Sequence, residues 1–246
     1  MAPYKFIIAY DGTDYQGFQR QGIKPTVQKE IEDALKNLGW IGTSITYAGR
    51  TDAGVHALGQ VIGFSLDWKH SIASLQNALN TRLRKPIVFR SGCIAEDDFH
   101  PRYDAKSRMY AYHFYCEEMD NPFLDRFAWR VWPEPDYALL EEGAKAFIGL
   151  HDFHFFGKPP KKKGFTVREI YKSTLKIAKD KKRFIYKVSA NAFLYHMVRR
   201  IVFSLLNVGK RKIDLGEITK ALQLRENRIL PGIAPAKGLI LEEVVY

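Results

Sequence analysis

The sequence predicts an α+β protein made of two ferredoxin-like (βαββαβ) lobes, with mixed, mainly antiparallel sheets joined around a central basic cleft. Three observations lead there. Over residues 4–95 the apolar period switches between two and about 3.6 in the order strand, helix, strand, strand, helix, strand. The same order recurs in the second half, without repetition of the sequence itself. Between the halves, near residues 98–107, Asp97, Asp98, Pro101 and Asp104 interrupt the apolar pattern. The expected domains are therefore 1–100, an N-terminal lobe, and 101–246, a C-terminal lobe.

Residues 4–11 alternate as a strand. Residues 26–38 set Val27, Ile31, Ala34, Leu35 and Leu38 at helical spacing behind Thr26, a side chain suited to capping a helix N-terminus. Strands follow at 45–48 and 61–66, a helix at 71–83 and a strand at 87–95. In the second half, strands are expected at 108–116, 167–177, 183–190 and 239–246. Helices are expected at 137–148 and 194–208, with a short extra one at 214–222. Leu194, Met197, Val198, Ile201, Val202, Leu205 and Leu206 form one continuous stripe, so that face of the helix is core.

The 246 residues carry 38 Lys and Arg against 27 Asp and Glu, a formal net charge of +11 that suits a polyanionic partner. Part of the basic charge is clustered, at 82–85, 158–163, 179–183, 199–200 and 210–212; the Lys161-Lys162-Lys163 run reads as a mobile loop tip. With only Cys93 and Cys116, a disulfide scaffold is not expected and a reducing cytoplasm fits. No apolar run has the length of about 20 residues needed to cross a bilayer, and residues 1–5 lack a signal-peptide core. A soluble, cytoplasmic protein with no membrane partner is the expectation.

The most informative stretch is Tyr47-Ala48-Gly49-Arg50-Thr51-Asp52-Ala53-Gly54-Val55-His56-Ala57. It sets an arginine and a carboxylate two residues apart in a loop bracketed by glycines, which admit backbone angles closed to other residues and leave room for a ligand. Arg50 can hold a polyanion while Asp52 acts on it. The loop alone admits another reading, in which Asp52 caps a short helix and Arg50 is solvated.

Gly49 through Ala57 resembles the motif around the catalytic aspartate of the TruA family of tRNA pseudouridine synthases. The resemblance extends to residues 9–21, with Phe18 where the family often has tryptophan, and to Phe99-His100-Pro101-Arg102 followed by Ala105, Arg108, Tyr110 and Tyr112. Residues 191–199 and 234–246 are similar to the family's third motif and its C-terminal strand. The five blocks stand in family order across nearly the whole chain. The family implies an isomerase, a tRNA pseudouridine(38-40) synthase. It would act on anticodon-arm uridines by base flipping, glycosidic cleavage and C–C rejoining, with no cofactor and as a homodimer.

By that resemblance Asp52 acts at the sugar, Arg199 is its cationic partner and Tyr110 lies against the uracil. Arg50 helps to fill the space left by the flipped base. Periodicity does not separate Arg199 from Arg200, which flank the core stripe on opposite sides; Arg200 is a further RNA-contact candidate. Asp11, Gln16 and Gln19 are expected to line the cleft, although Asp11 also suits turn capping. His56 fits either an RNA contact or a satisfied structural histidine, and Tyr112 a core aromatic.

No metal is expected. The segment His151-Asp152-Phe153-His154-Phe155-Phe156 has too few ligands near one another and reads as a packed turn. Two other activities fit the fold: a non-catalytic RNA-binding protein, and a hydrolytic RNA enzyme using Asp52 and His56.

Overall fold

The computed structural model describes residues 1–83, 86–159, 164–179, 182–224 and 231–246. They form two compact units, Met1–Lys106 together with Ile240–Tyr246, and Ser107–Leu239.

In the first unit β1 (Ala2–Tyr10), α1 (Val27–Lys36), β2 (Thr46–Tyr47), β3 (His56–Leu66), α2 (Ile72–Arg82) and β4 (Ile87–Ile94) follow the predicted order. β1 lies between β4 and β3, antiparallel to both, and β2 pairs antiparallel with β3 at Thr46 and Tyr47. Alternation along β1 sets the core face, with Tyr4, Phe6, Ile8 and Tyr10 buried and Ile7 exposed. α1 buries Val27, Ile31, Ala34 and Leu35, and the Thr26 hydroxyl accepts the Lys29 N–H at 3.4 Å, the expected cap. α2 buries Leu75 and Leu79, and it holds β4 by a polar clamp. Asn80 accepts the Phe89 N–H at 2.7 Å and donates to the Phe89 carbonyl at 2.9 Å.

The second unit contains β5 (Ser107–Tyr115), β6 (Trp129–Arg130), α3 (Tyr137–Lys145), β7 (Gly149–Asp152), β8 (Val167–Ile177), β9 (Arg183–Ala190), α4 (Met197–Gly209) and α5 (Leu215–Gln223). Its strands run β5-β9-β8-β7, each antiparallel to the next, with β6 parallel to β5. Tyr112 faces Tyr186 and Phe114 faces Phe184 across β5 and β9, and the Phe114 and Phe184 rings stack at 5.1 Å. α4 buries Met197, Val198, Ile201, Val202, Leu205 and Leu206, the stripe read from the sequence.

Four features depart from expectation. β3 starts at His56 rather than at 61, so the end of the Asp52 motif is strand. β6 and β7 are new, and at two and four residues they are too short to show a period. α4 starts at Met197 rather than 194. Tyr195 exchanges two backbone hydrogen bonds with Lys158, and His196 sits at φ +66, so the first helical turn cannot extend backward. Leu194 is buried all the same.

The last strand, β10 (Leu239–Val245), departs furthest. Its residues from Ile240 onward belong to the first unit, pairing parallel with β3 at Ile240 to His56 and Leu241 to Ala57. The Lys106 N–H also donates to the Val245 carbonyl at 2.8 Å. The expected lobe 101–246 is therefore not the second unit, and the second half does not simply repeat βαββαβ. A two-residue period announces a strand but says nothing of its pairing partner. Mixed α and β structure with mainly antiparallel pairing and, among the described residues, five α-helices remains the architecture.

Candidate active site

The loop between β2 and β3 is held at several points on either side of Asp52. Gln60, buried on β3, donates its Nε2 to the Gly49 carbonyl at 2.7 Å. The Tyr10 hydroxyl meets Thr51 Oγ1 at 2.8 Å, and the Thr51 carbonyl accepts the Phe18 N–H at 3.0 Å. Gly54 donates to the Tyr15 carbonyl at 3.3 Å, and Val55 closes a turn onto the Asp52 carbonyl at 3.1 Å. Within this frame Asp52 is half-buried and Arg50 exposed. Asp52 starts no helix; the loop leads into β3.

Close backbone approach explains the glycines, though not the pair that the sequence singled out. Gly54 does take φ +74, but a Cβ on Gly49 would meet nothing within 4 Å. The crowded positions lie in the N-terminal loop. A Cβ on Gly12 would stand 2.0 Å from the Val55 carbonyl oxygen, and one on Gly17, at φ +90, 2.9 Å from that of Thr51. Residues 12–18 thus abut the Asp52 loop.

Asp11 accepts from the Thr13 N–H and hydroxyl at 3.0 and 2.6 Å, the turn-capping geometry. His56 is buried, with Nδ1 3.0 Å from both the Gly12 nitrogen and Asp11 Oδ1. Those contacts are structural ones. Gln16 is exposed and Gln19 half-buried on the same N-terminal loop.

In the second unit Tyr110 lies on β5, half-exposed, and the Phe193 ring meets it edge-on at 5.1 Å. Tyr112, two residues on, is fully buried and donates its hydroxyl to the Pro235 carbonyl at 2.8 Å. Burial pushes the Tyr112 phenol well above its ordinary pKa, with the Arg199 charge opposing the shift. Arg199, in the first turn of α4, donates Nε to the Ala234 carbonyl at 2.7 Å, and its own carbonyl accepts the Ala234 N–H. Two consecutive carbonyls, of Ala234 and Pro235, therefore fix Arg199 and Tyr112. Arg200 points elsewhere, donating to the Phe155 carbonyl at 3.1 Å.

The roles of several of these supports were not marked in the sequence. Tyr10 and Phe193 stand in stretches that resemble family motifs and Gln60 stands in none, but no pattern identifies any of them as a support until the fold brings it to the site. Asn191 is another: its side chain accepts the Glu169 and Ala192 N–H groups and its carbonyl accepts Arg108, fixing the turn ahead of Phe193. In the 151–156 segment, Asp152 accepts from Thr166 at 2.5 Å and the His154 N–H at 3.1 Å, while Phe153 and Phe156 pack on Phe147. No cluster of three or more His, Cys, Asp or Glu suited to a metal occurs among the described residues. Nor is any described helix long and apolar enough to cross a membrane. The Lys161-Lys162-Lys163 run, like Arg84, Lys85 and Lys181, lies outside the described residues.

A family model described as tRNA pseudouridine synthase matches residues 6–104 and 144–246. The chain belongs to the tRNA pseudouridine synthase family. It is an isomerase, forming pseudouridine from uridine in tRNA. Among its relatives, tRNA pseudouridine synthase A 2 of Bacillus cereus is 36% identical, with 100% of both chains covered. The tRNA pseudouridine synthase A of Streptococcus equi subsp. equi is 38% identical, covering 100% of this chain and 99% of its own. A crystal structure of a Cbf5-Nop10-Gar1 complex is similar at 11% identity and TM-score 0.36; the match covers 83% of this chain and 45%, under half, of that one. Arg50, Asp52 and His56 lie in the first matched stretch, Arg199 and Arg200 in the second, and Tyr110 between them.

Proposed function

We propose that this synthase acts on uridines of the tRNA anticodon arm, nominally positions 38, 39 and 40, with Asp52 as the carboxylate at the ribose. The C1′–N1 bond breaks, the freed uracil turns in place, and C1′ bonds to C5. The hydrogen displaced from C5 is matched by one gained at N1, so the RNA changes neither mass nor length. No electron is exchanged with a partner, and the chemistry calls for no cofactor. The target nucleotide leaves its stack first, at a cost of a few kcal/mol that is smaller in loops and distorted stems.

In this reading Arg199 is the cationic partner of Asp52, a role carried over from the family resemblance. A carboxylate screened from water tends to take up a proton unless a cation favours its charged form. Tyr110 stacks on the uracil, a contact that tolerates rotation because it uses the ring face. Arg50 occupies the vacated space, where its planar fork can stack and donate at once. Asp11, Gln16, Gln19 and Arg200 are the further RNA-contact candidates, whereas the buried His56 holds the turn at Asp11 and Gly12. The +11 charge suits RNA binding, and a cytoplasmic homodimer is carried over from the family resemblance.

The observation that carries the reading is the Asp52 loop: its backbone is fixed by Gln60, Phe18 and Tyr15 and its Thr51 side chain by Tyr10, while Asp52 is only half-buried. A reacting group held on an immobilised backbone is what a positioned catalyst requires. The test is carbodiimide-based mapping of pseudouridine in unmodified tRNA transcripts, with wild type and Asp52→Asn. Asp52→Asn should fold, bind RNA and form no pseudouridine; wild-type product from it would refute the assignment.

A further inference from the structure

We propose that Glu32 is a positioning residue for the isomerisation, acting through Arg20 and Gln28 on the segment that holds the Asp52 loop. The inference rests on the reading of Asp52 as the reacting carboxylate. Glu32 lies on α1 with its side chain 1% exposed. Three donors converge on it: Arg20 Nη1 at 2.5 Å and, on the other oxygen, Gln28 Nε2 at 2.7 Å and the Ile45 N–H at 3.2 Å. Gln28, also buried, is polarised by its neighbours. Its Oε1 accepts the Arg20 N–H at 2.9 Å, so its Nε2 is directed to Glu32 and to Ser44 Oγ at 2.9 Å. Arg20 is thereby gripped by backbone and side chain, and its guanidinium also reaches the Thr43 carbonyl at 3.2 Å.

A buried carboxylate is a costly way to pack a helix. Apolar residues of similar volume commonly serve stability as well or better, whereas a fully satisfied polar network defines one geometry. The geometry defined here is that of residues 16–20. One edge of the segment is stitched to α1: Gln28 donates to the Phe18 carbonyl at 2.9 Å and Val27 to that of Gly17 at 3.3 Å. The other edge holds the reacting loop, through the Phe18 N–H on Thr51 and the tight contact of Gly17 with Thr51 and Ala53. Glu32 thus lies two steps from Asp52, through Arg20 and Gln28 and then the 16–20 backbone.

Glutamine cannot replace this glutamate, since its amide would turn a donor toward a site that offers only donors. The test uses the full chain and unmodified tRNA, comparing Arg20→Gln and Glu32→Gln, singly and together, with Asp52→Asn alongside. Arg20 is 42% exposed, so its variant keeps the question answerable if Glu32→Gln does not fold. At a temperature where each protein is folded, the single-turnover rate should fall about tenfold or more while KM stays within about twofold, as small misplacements of a reacting group cost rate. The double variant should be no slower than the slower single, because both break one network.

A purely structural role would lower the melting temperature and leave that rate unchanged, which would overturn the proposal. A raised KM at unchanged rate, marking Arg20 as an RNA contact, would also overturn it, as would losses that add in the double variant. Turnover by Asp52→Asn would instead overturn the Asp52 assignment. An inactive Asp52→Asn beside a full-rate Arg20→Gln would defeat only the role of Glu32.

Discussion

Gly17→Ala is the sharpest probe of how the Asp52 loop is held. Gly17 takes φ +90, and its added Cβ would lie 2.9 Å from the Thr51 carbonyl oxygen, 3.3 Å from the Ala53 nitrogen and 3.4 Å from the Asp52 carbonyl carbon. All three are backbone atoms, so no flexible side chain can swing aside. The strain of a left-handed alanine is about 1–2 kcal/mol. Forcing a methyl into a packed contact adds about 1–3 kcal/mol, against a gain of about 0.4–1 kcal/mol from a stiffer unfolded chain. The net loss is about 1–4.6 kcal/mol, a fall in Tm of roughly 2–18 °C for a chain of this length. Relief comes only by moving residues 51–53 outward by several tenths of an ångström, and shifts approaching 1 Å cost on the order of a hundredfold in rate. The assays are thermal unfolding by circular dichroism and single-turnover pseudouridine formation below the transition. A folded Gly17→Ala protein with wild-type Tm and rate would refute the contact as described.

Tyr110→Phe should keep most of the affinity for the extruded base, whereas Tyr110→Ala should lose about 1–3 kcal/mol, read from KM with tRNA transcripts; equal losses would point to the hydroxyl instead. Arg50→Lys should lower kcat/KM by an amount equivalent to about 1–3 kcal/mol, because an ammonium neither stacks nor donates through a planar fork; unchanged kcat/KM would remove Arg50 from the site. Asp136 caps α3, and the Leu139 N–H, followed by Arg211, holds its carboxyl below the ordinary value of 3.8. Because the folded pKa is the lower one, its contribution to stability is complete above that ordinary value and is lost as pH falls through the folded value. Asp136→Asn should therefore show a flatter acid-unfolding profile in that range, followed by stepped-pH circular dichroism; parallel profiles would rule out the coupling.

Long elements with a strong period were legible from the sequence. β8 and β9 have the expected limits, and the stripe on α4 is the buried face. What escaped was non-local. Nothing in residues 239–246 says that Ile240 will pair with His56, and nothing in Gly149 foretells the edge strand it opens. At the site the Asp52 motif was readable because its residue types are chemically unusual together. Its supports were not, since Tyr10, Gln60 and Phe193 acquire their roles only through contacts with distant segments. Gly49 lies inside the motif yet has open space around it, whereas Gly12 and Gly17 lie outside and are the crowded ones, because crowding depends on what the fold brings alongside.

Both units fix their candidate functional side chains in the same way. A loop that carries a reacting group cannot be immobilised by apolar packing alone, since its backbone N–H and C=O groups need partners and its side chain needs access to substrate. In the first unit the Gly49 and Thr51 carbonyls and the Gly54 amide are taken up by Gln60, Phe18 and Tyr15. In the second, the carbonyls of Ala234 and Pro235 take up Arg199 and Tyr112. Each anchoring segment is remote in sequence from at least part of what it holds: Phe18 is 33 residues from Thr51, as their numbers give, and the Tyr112 to Pro235 bond spans 123 positions. The geometry of Arg199 therefore depends on main-chain placement at 234–235 more than on side chains there. Ala234 is itself fully buried, so a larger side chain there, like any change that displaces its carbonyl, should act on Arg199 directly.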